Sequence, residues 1–245
     1  MRKKDQLYNV FKKLKFKEDF LIIHSDILSF HRFKFDLNIF FKILSECLGR
    51  NKTLIFPSFN LKKRKTWYLN STKSEAGILS EYIRKNENTV RSLHPIHSVC
   101  IYGPKKKQIP LNKSISSFGK NSCWDWLCNS ENVRNVSIGI GFVGGATFCH
   151  YTEEKAKVNY RYYKKINTLV YDAKNHLIKK KFLFFARKRG FKNSWKNCEK
   201  DLKRSKILIK HKNTYNIPIF SMNTKLASKF ILKKISKDNK YLTKK

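Results

Sequence analysis

Residues Gly139 to Glu154 read G-I-G-F-V-G-G-A-T-F-C-H-Y-T-E-E, and the apolar run Val136, Ile138, Ile140 leads into them. Alternating β-branched residues followed by clustered glycines predict a strand over 136–140 and a tight turn after it. Thr147 is a suitable N-cap for a helix that then carries His150 and Glu153. Three positions apart, those two side chains share one helix face. A histidine and a carboxylate so placed are a candidate general base and its orienting partner. On spacing alone, a half-buried structural histidine paired with Glu153 accounts for them as well. Gly139 to Gly144 also fits G-x-G-x-x-G after a strand, but the next acid after Glu154 is Asp172, further than a dinucleotide fingerprint expects. A tight turn is the simpler reading.

Outward from this segment, apolar runs of strand length recur at Phe20–Ile23, Thr53–Phe56 and Ser98–Tyr102. Helical spacing recurs over Phe35–Leu48, over Ser74–Arg84 with Ser74 as candidate cap, and over the Trp-rich Cys123–Asn129. Residues 1–18 pattern as a basic amphipathic helix with Leu7, Val10, Phe11 and Leu14 on one side. Residues 60–73 and 105–120 are polar, basic loops. Strands alternating with helices predict an α/β fold. Past residue 165, Asn167–Tyr171, Lys181–Phe185 and Ile207–Ile209 look like strands, and Ser221–Leu242 like a helix. There is no internal repeat and no low-complexity linker, so a single domain over residues 1–245 is expected.

With 41% hydrophobic and 14% aromatic residues, the chain can build a core and is not a disordered polycation. Its formal net charge is +37, from 54 Lys plus Arg against 17 Asp plus Glu. A polyanionic partner explains that excess, and so does compositional drift, since the charge is spread along the whole chain. The cysteines at 47, 100, 123, 128, 149 and 198 form no C-x-x-C pair, which fits reduced thiols in a cytoplasmic protein. No apolar run nears the ~20 residues of a membrane span.

Polar residues gather at strand ends: His24-Ser25-Asp26, Pro57-Ser58 and Gly144-Gly145-Ala146-Thr147. In α/β sheets the carboxyl ends of strands are the usual binding edge. A further cluster, Arg91-Ser92-Leu93-His94-Pro95-Ile96-His97-Ser98, precedes a strand. His94 and His97, with Cys100 as a conceivable third ligand, suggest a metal, but no second pair at zinc spacing completes the set; structural or ligand-contacting histidines beside a proline turn are the simpler reading, and no metal is expected.

The order of these clusters resembles the aminoglycoside 3-N-acetyltransferase family of antibiotic N-acetyltransferases. The motifs are L-I-I-H-S-D (21–26), T-L-I-F-P-S-F (53–59), S-E-A-G-I-L-S-E-Y-I-R (74–84), R-S-L-H-P-I-H-S (91–98), F-G-K-N-S (118–122) and the T-F-C-H-Y-T-E segment, similar to the family's T-x-x-H-x-x-E. Together they cover about residues 20–165, leaving 166–245 as a basic part that completes the fold. The resemblance implies an α/β/α sandwich with a mixed central sheet, distinct from the GNAT fold, and acetyl transfer from acetyl-CoA to an amine. It implies that His150 is the general base and Glu153 its orienting carboxylate. Ser25, Asp26, Ser92, His94 and Ser98 align with motifs on the coenzyme side. Attack on the thioester builds charge on the carbonyl oxygen, and Thr147, Gly145 and Ser58 are the candidates to receive it or to contact substrate.

Two features set this chain apart from antibiotic-modifying members. Asp26 stands where a second serine is usual, a form similar to a branch associated with cell-surface polysaccharide enzymes. A polycationic aminoglycoside would also be repelled by a +37 protein. An anionic amino sugar is therefore the expected acceptor. The rival from another class is a basic nucleic-acid-binding protein, with Trp67, Trp124, Trp126 and Trp195 as stacking platforms. A third reading is a family member that binds coenzyme A without catalysis.

Overall fold

The computed structural model describes residues 3–244, with side chains from Lys4 onward. A seven-stranded mixed sheet runs in the order Ile209–Lys210, Ile219–Asn223, Val133–Ile138, Phe20–Ser25, Thr53–Pro57, Val99–Tyr102, Thr89–Arg91. Val133–Ile138, Phe20–Ser25 and Thr53–Pro57 are parallel, and the flanking pairs on both sides are antiparallel.

Alternation along the strands feeds two cores. Phe20, Ile22, Ile55, Val99, Ile101, Phe220 and Met222 face one layer, which is closed by helices Cys123–Asn129, Phe148–Lys155, Lys196–Arg204 and Thr224–Lys237. Leu21, Ile23, Leu54, Phe56, Cys100 and Ile219 face the other, closed by Lys3–Phe11, Leu37–Leu48 and Ile78–Arg84. Burial on both faces is why these strands read as apolar runs rather than as a polar–apolar alternation. The part after residue 165 contributes two strands to the same sheet.

Several expected boundaries shift for physical reasons. The helix expected over residues 1–18 runs Lys3–Phe11, with its apolar face buried; residues 1 and 2, like 245, lie outside the described residues. The strand expected over 136–140 is Val133–Ile138, because Gly139, at φ +74, ends it. A Cβ there would meet the Asp26 carbonyl oxygen at 2.5 Å. Ser74 does not cap its helix: the helix starts at Ile78, after Gly77 at φ +107, and Ser74 Oγ accepts the amide of Ala76 instead. Thr147 makes no side-chain cap bond, because its own backbone is already helical behind the short helix Phe142–Gly145. Ser221–Leu242 divides into strand Ile219–Asn223 and helix Thr224–Lys237, with Asn223 capping the Leu226 amide at 3.0 Å. A strand buried on both faces and abutting a helix offers no change of period to mark the junction.

All six cysteines are free and buried. Among the described residues no helix is long and apolar enough to cross a membrane.

Candidate active site

Helix Phe148–Lys155 follows the glycine turn at the end of the central strand Val133–Ile138. Gly145 lets it sit tightly on the sheet, since a Cβ there would overlap Ser137 Oγ. Cys149, Thr152 and Glu153 are fully buried, while the His150 side chain keeps 22% exposure. His150 Nδ1 lies 2.6 Å from Glu153 Oε2. Arg161 Nη2 donates to the same oxygen at 2.9 Å, and the Tyr160 hydroxyl donates to Oε1 at 2.9 Å. Burial alone would push the Glu153 carboxyl up. The hydrogen bond and charge of His150, the Arg161 guanidinium and Tyr160 outweigh it and hold the group below its ordinary value. Arg161 Nη2 also lies 3.1 Å from Nδ1, but it is committed to Glu153 Oε2, and the ionised Glu153, which only accepts, is the closer partner at 2.6 Å; Nδ1 therefore carries the proton and the neutral ring presents a lone pair at Nε2. The adjacent acid, Glu154, turns away to Ser116 Oγ and the Tyr163 hydroxyl, and burial raises its pKa.

His150 opens onto a cleft of about 460 Å³. One wall is the antiparallel pair Arg161–Lys165 and Leu183–Arg187, which continues into the turn Lys188-Arg189-Gly190-Phe191. The other carries Leu61, His97 and Phe118. Every charged side chain of the lining other than the histidines is basic: Arg161, Arg187, Lys188 and Arg189. A larger hollow of about 830 Å³ lies around Lys107–Lys113 and Trp126, but it contains no histidine and no acid–base pair.

The expected coenzyme-side residues lie elsewhere. Ser25 ends its strand, half-buried, and Asp26 caps the following 3-10 turn through the Leu28 amide at 3.0 Å. Ser92 Oγ accepts the Val99 amide, and Ser98 Oγ bridges Arg91 and the Ser58 carbonyl; both serines are buried. His94 is buried against Ser117 and the Leu183 carbonyl, and burial draws its pKa down to about 4. None of the five lines the cleft, and neither do Thr147, Gly145 or Ser58. His97, read from the sequence as a structural or ligand-contacting histidine rather than a metal ligand, does line it. Among the described residues no group of three or more His, Cys, Asp or Glu side chains is arranged to hold a metal ion. Trp67, Trp124 and Trp195 are buried and cannot stack bases, although Trp195 packs edge-on against His150 at 5.2 Å.

Sequence reasoning missed Tyr160, Arg161 and the basic turn at 187–189. The signal for the first two was N-Y-R-Y-Y at 159–163, eight residues past Glu153 and polar where a continuing helix would need a face.

The model of the aminoglycoside 3-N-acetyltransferase family matches residues 22–235. The fold agrees with solved structures at low identity. AAC-IIIb in a binary complex with CoASH is 13% identical, with 96% of each chain covered and a TM-score of 0.80. Apo aminoglycoside acetyltransferase AAC(3)-IVa is 17% identical, with 98% of this chain and 90% of that one covered, at 0.76. YokD from Bacillus subtilis is 15% identical, with 96% and 99% covered, at 0.77. No curated protein matches the sequence. The chain belongs to the aminoglycoside 3-N-acetyltransferase family, and is thereby an acetyl-CoA-dependent N-acetyltransferase.

Proposed function

We propose that the protein transfers acetyl from acetyl-CoA directly to the amino group of an anionic amino sugar, with His150 as general base and Glu153 orienting it. The observation that carries this reading is the His150–Glu153 pair opening onto a cleft whose other charged residues are all basic. His150 Nε2 accepts a proton from the acceptor amine, and the nitrogen lone pair adds to the thioester carbonyl carbon. The C–S bond then breaks, and the coenzyme sulfur leaves with a proton returned from His150. Glu153 holds the ring and stabilises its charged form during transfer. With Arg161 neutralised by Glu153, it is Arg187, Lys188 and Arg189 that favour anions, which suits the coenzyme phosphates as well as a nucleotide- or phosphate-linked amino sugar. The same field opposes the polycationic aminoglycosides that several structural relatives bind.

The test is thiol release from acetyl-CoA across anionic amino sugars and aminoglycosides. At least one anionic acceptor should turn over faster than any aminoglycoside. His150→Ala should lower kcat by ~10²-fold or more. Arg187→Gln with Arg189→Gln should raise KM for the anionic acceptor and weaken its salt dependence. Unchanged turnover in His150→Ala would overturn the base, and a preference for aminoglycosides would overturn the acceptor class.

A further inference from the structure

We infer that His97 is a second catalytic histidine, one that donates Nε2–H to the thioester carbonyl oxygen as it becomes negative. The inference rests on the acetyl-transfer reading above and supplies the one group that reading leaves unassigned, since Thr147, Gly145 and Ser58 are all off the cleft.

Hydrogen bonding assigns the tautomers. His94 Nδ1 receives the backbone amides of Ile96 and His97, each at 3.2 Å, so it carries no proton. Its Nε2–H then points to the Leu183 carbonyl at 3.3 Å, while Ser117 Oγ, 3.2 Å from Nε2 and 3.4 Å from Nδ1, sits over the ring face. Ser117 Oγ lies 2.8 Å from His97 Nδ1. The Ser117 proton has two nitrogens within reach. His94 Nδ1 is at 3.4 Å and already accepts two amides, so the proton goes to His97 Nδ1. The His97 proton is thereby placed on Nε2, for which no partner is found among the described residues. His97 lines both the cleft and a smaller hollow that holds His94 and Ser117, and its Nδ1 edge is the one turned to Ser117, which leaves Nε2 as the nitrogen available to the cleft.

The separation suits one reacting group held between two histidines. The His97 and His150 ring centroids are 6.4 Å apart. An amine nitrogen ~3 Å from a base and a carbonyl oxygen ~3 Å from a donor, joined through one carbon, span ~8 Å from base to donor, so the group would lie across the cleft-side edges of the two rings rather than between their centres. Phe59, Phe118 and Phe184 surround the His97 ring at centroid distances of 5.2, 4.9 and 5.6 Å. A donor in a dry aromatic cage stabilises developing charge more than one in water. Burial, reinforced by His94, His150 and Arg161, keeps the ring neutral at physiological pH, as a fixed donor must be. No proton is transferred from His97: the oxygen accepts a hydrogen bond while the amine proton goes to His150.

The decisive measurement uses the full chain with bound acetyl-CoA labelled with ¹³C at the carbonyl, and needs no acceptor. Isotope-edited vibrational difference spectra should show the thioester C=O stretch shifted to lower frequency in the wild type. In His97→Ala it should lie at the solution value, and in His97→Gln, whose side-chain amide supplies a donor at nearly the same place, it should stay low. Given an acceptor, His97→Ala should lower kcat ~10²- to 10³-fold with KM little changed, and His97→Gln should recover most of that. Ser117→Ala, which frees the tautomer, should fall between. An equal stretch in wild type and His97→Ala, or equal losses in the Ala and Gln variants, overturns the inference. Should no amine turn over, the acceptor reading fails by itself and the spectrum still decides this one.

Discussion

Two arginines lie almost equally deep in this protein, Arg91 at 7% exposure and Arg161 at 8%, and they are put to opposite uses. Arg91 meets neutral oxygens only: the carbonyls of Ser58, Leu69 and Thr72, Ser98 Oγ and Asn60 Oδ1. It also stacks 4.8 Å over Trp67, and burial draws its pKa down to about 10. Its five donors are used up in tying loops to the sheet edge, so nothing remains for a ligand. Arg161 instead pairs with a carboxylate that also holds a histidine, and its other hydrogen bonds reach wall residues of the cleft. A buried charge satisfied on every side serves structure. One that shares its counterion with a titratable group at a cleft is placed where the proposed chemistry needs it.

The largest effect that separates the two roles belongs to Glu153→Gln. The amide keeps the shape but removes the charge that fixes the His150 tautomer and neutralises Arg161. We expect kcat to fall ~10²- to 10³-fold in the thiol-release assay. Stability should fall as well, by up to ~3 kcal/mol in denaturant unfolding, because the guanidinium is left uncompensated. Full activity in a destabilised Glu153→Gln would move Arg161 and its carboxylate to the structural side of the contrast.

Arg91→Met comes next. It removes every donor to five surrounding oxygens at once, each costing ~1–3 kcal/mol where it is left dry, and it also relieves the cost of burying the guanidinium; a net loss of at least ~3 kcal/mol is expected. Turnover per folded molecule should stay at the wild-type value. A rise in KM for acetyl-CoA without loss of stability would place the Arg91–Ser98 segment on the coenzyme after all.

The contrast also shows what could be read without coordinates. His150 and Glu153 were legible because three-residue spacing on a helix is a local fact, and the parallel centre of the sheet because doubly buried strands are apolar runs. Arg91 and Arg161 could not be told apart in the sequence. R-S-L-H-P-I-H-S looks richer in chemistry than N-Y-R-Y-Y, yet only its His97 reaches the cleft. The cluster's other polar groups face inward because it links the edge strand Thr89–Arg91 to its neighbour Val99–Tyr102, where backbone and loop oxygens need donors. One wall of the cleft pairs residues 18 to 26 positions apart, Arg161–Lys165 with Leu183–Arg187, and no local pattern announces such a pairing. The antiparallel strand Ile219–Asn223 was hidden for the related reason that it runs straight into a helix.

Histidine supplies the smallest effect and the finest test, because it can shed the charge that arginine must keep. His24 sits on the central strand Phe20–Ser25 beside Ser137 and Asn135, and its Nε2 makes no hydrogen bond among the described residues. Burial draws its pKa from 6.5 to about 4, against a smaller opposing effect of Asn135. The folded value lies below the unfolded one, so the unfolded chain binds the proton first as pH falls. The stability associated with a neutral His24 is therefore complete above pH 6.5 and is lost progressively between 6.5 and about 4. By pH 5.5 the loss from this one group should reach ~1 kcal/mol. His94 and His97 are depressed in the same direction and add to the acid slope. Urea unfolding of His24→Leu at several pH values isolates the term: the variant's stability should fall less steeply between pH 7 and 5 than the wild type's, whatever its stability at pH 7. Equal slopes would mean that His24 takes up its proton in the folded protein. The unpartnered Nε2 would then have found an acceptor such as Asn135 Oδ1, which also lacks a partner, and this part of the core would behave like Arg91's, charged and internally satisfied.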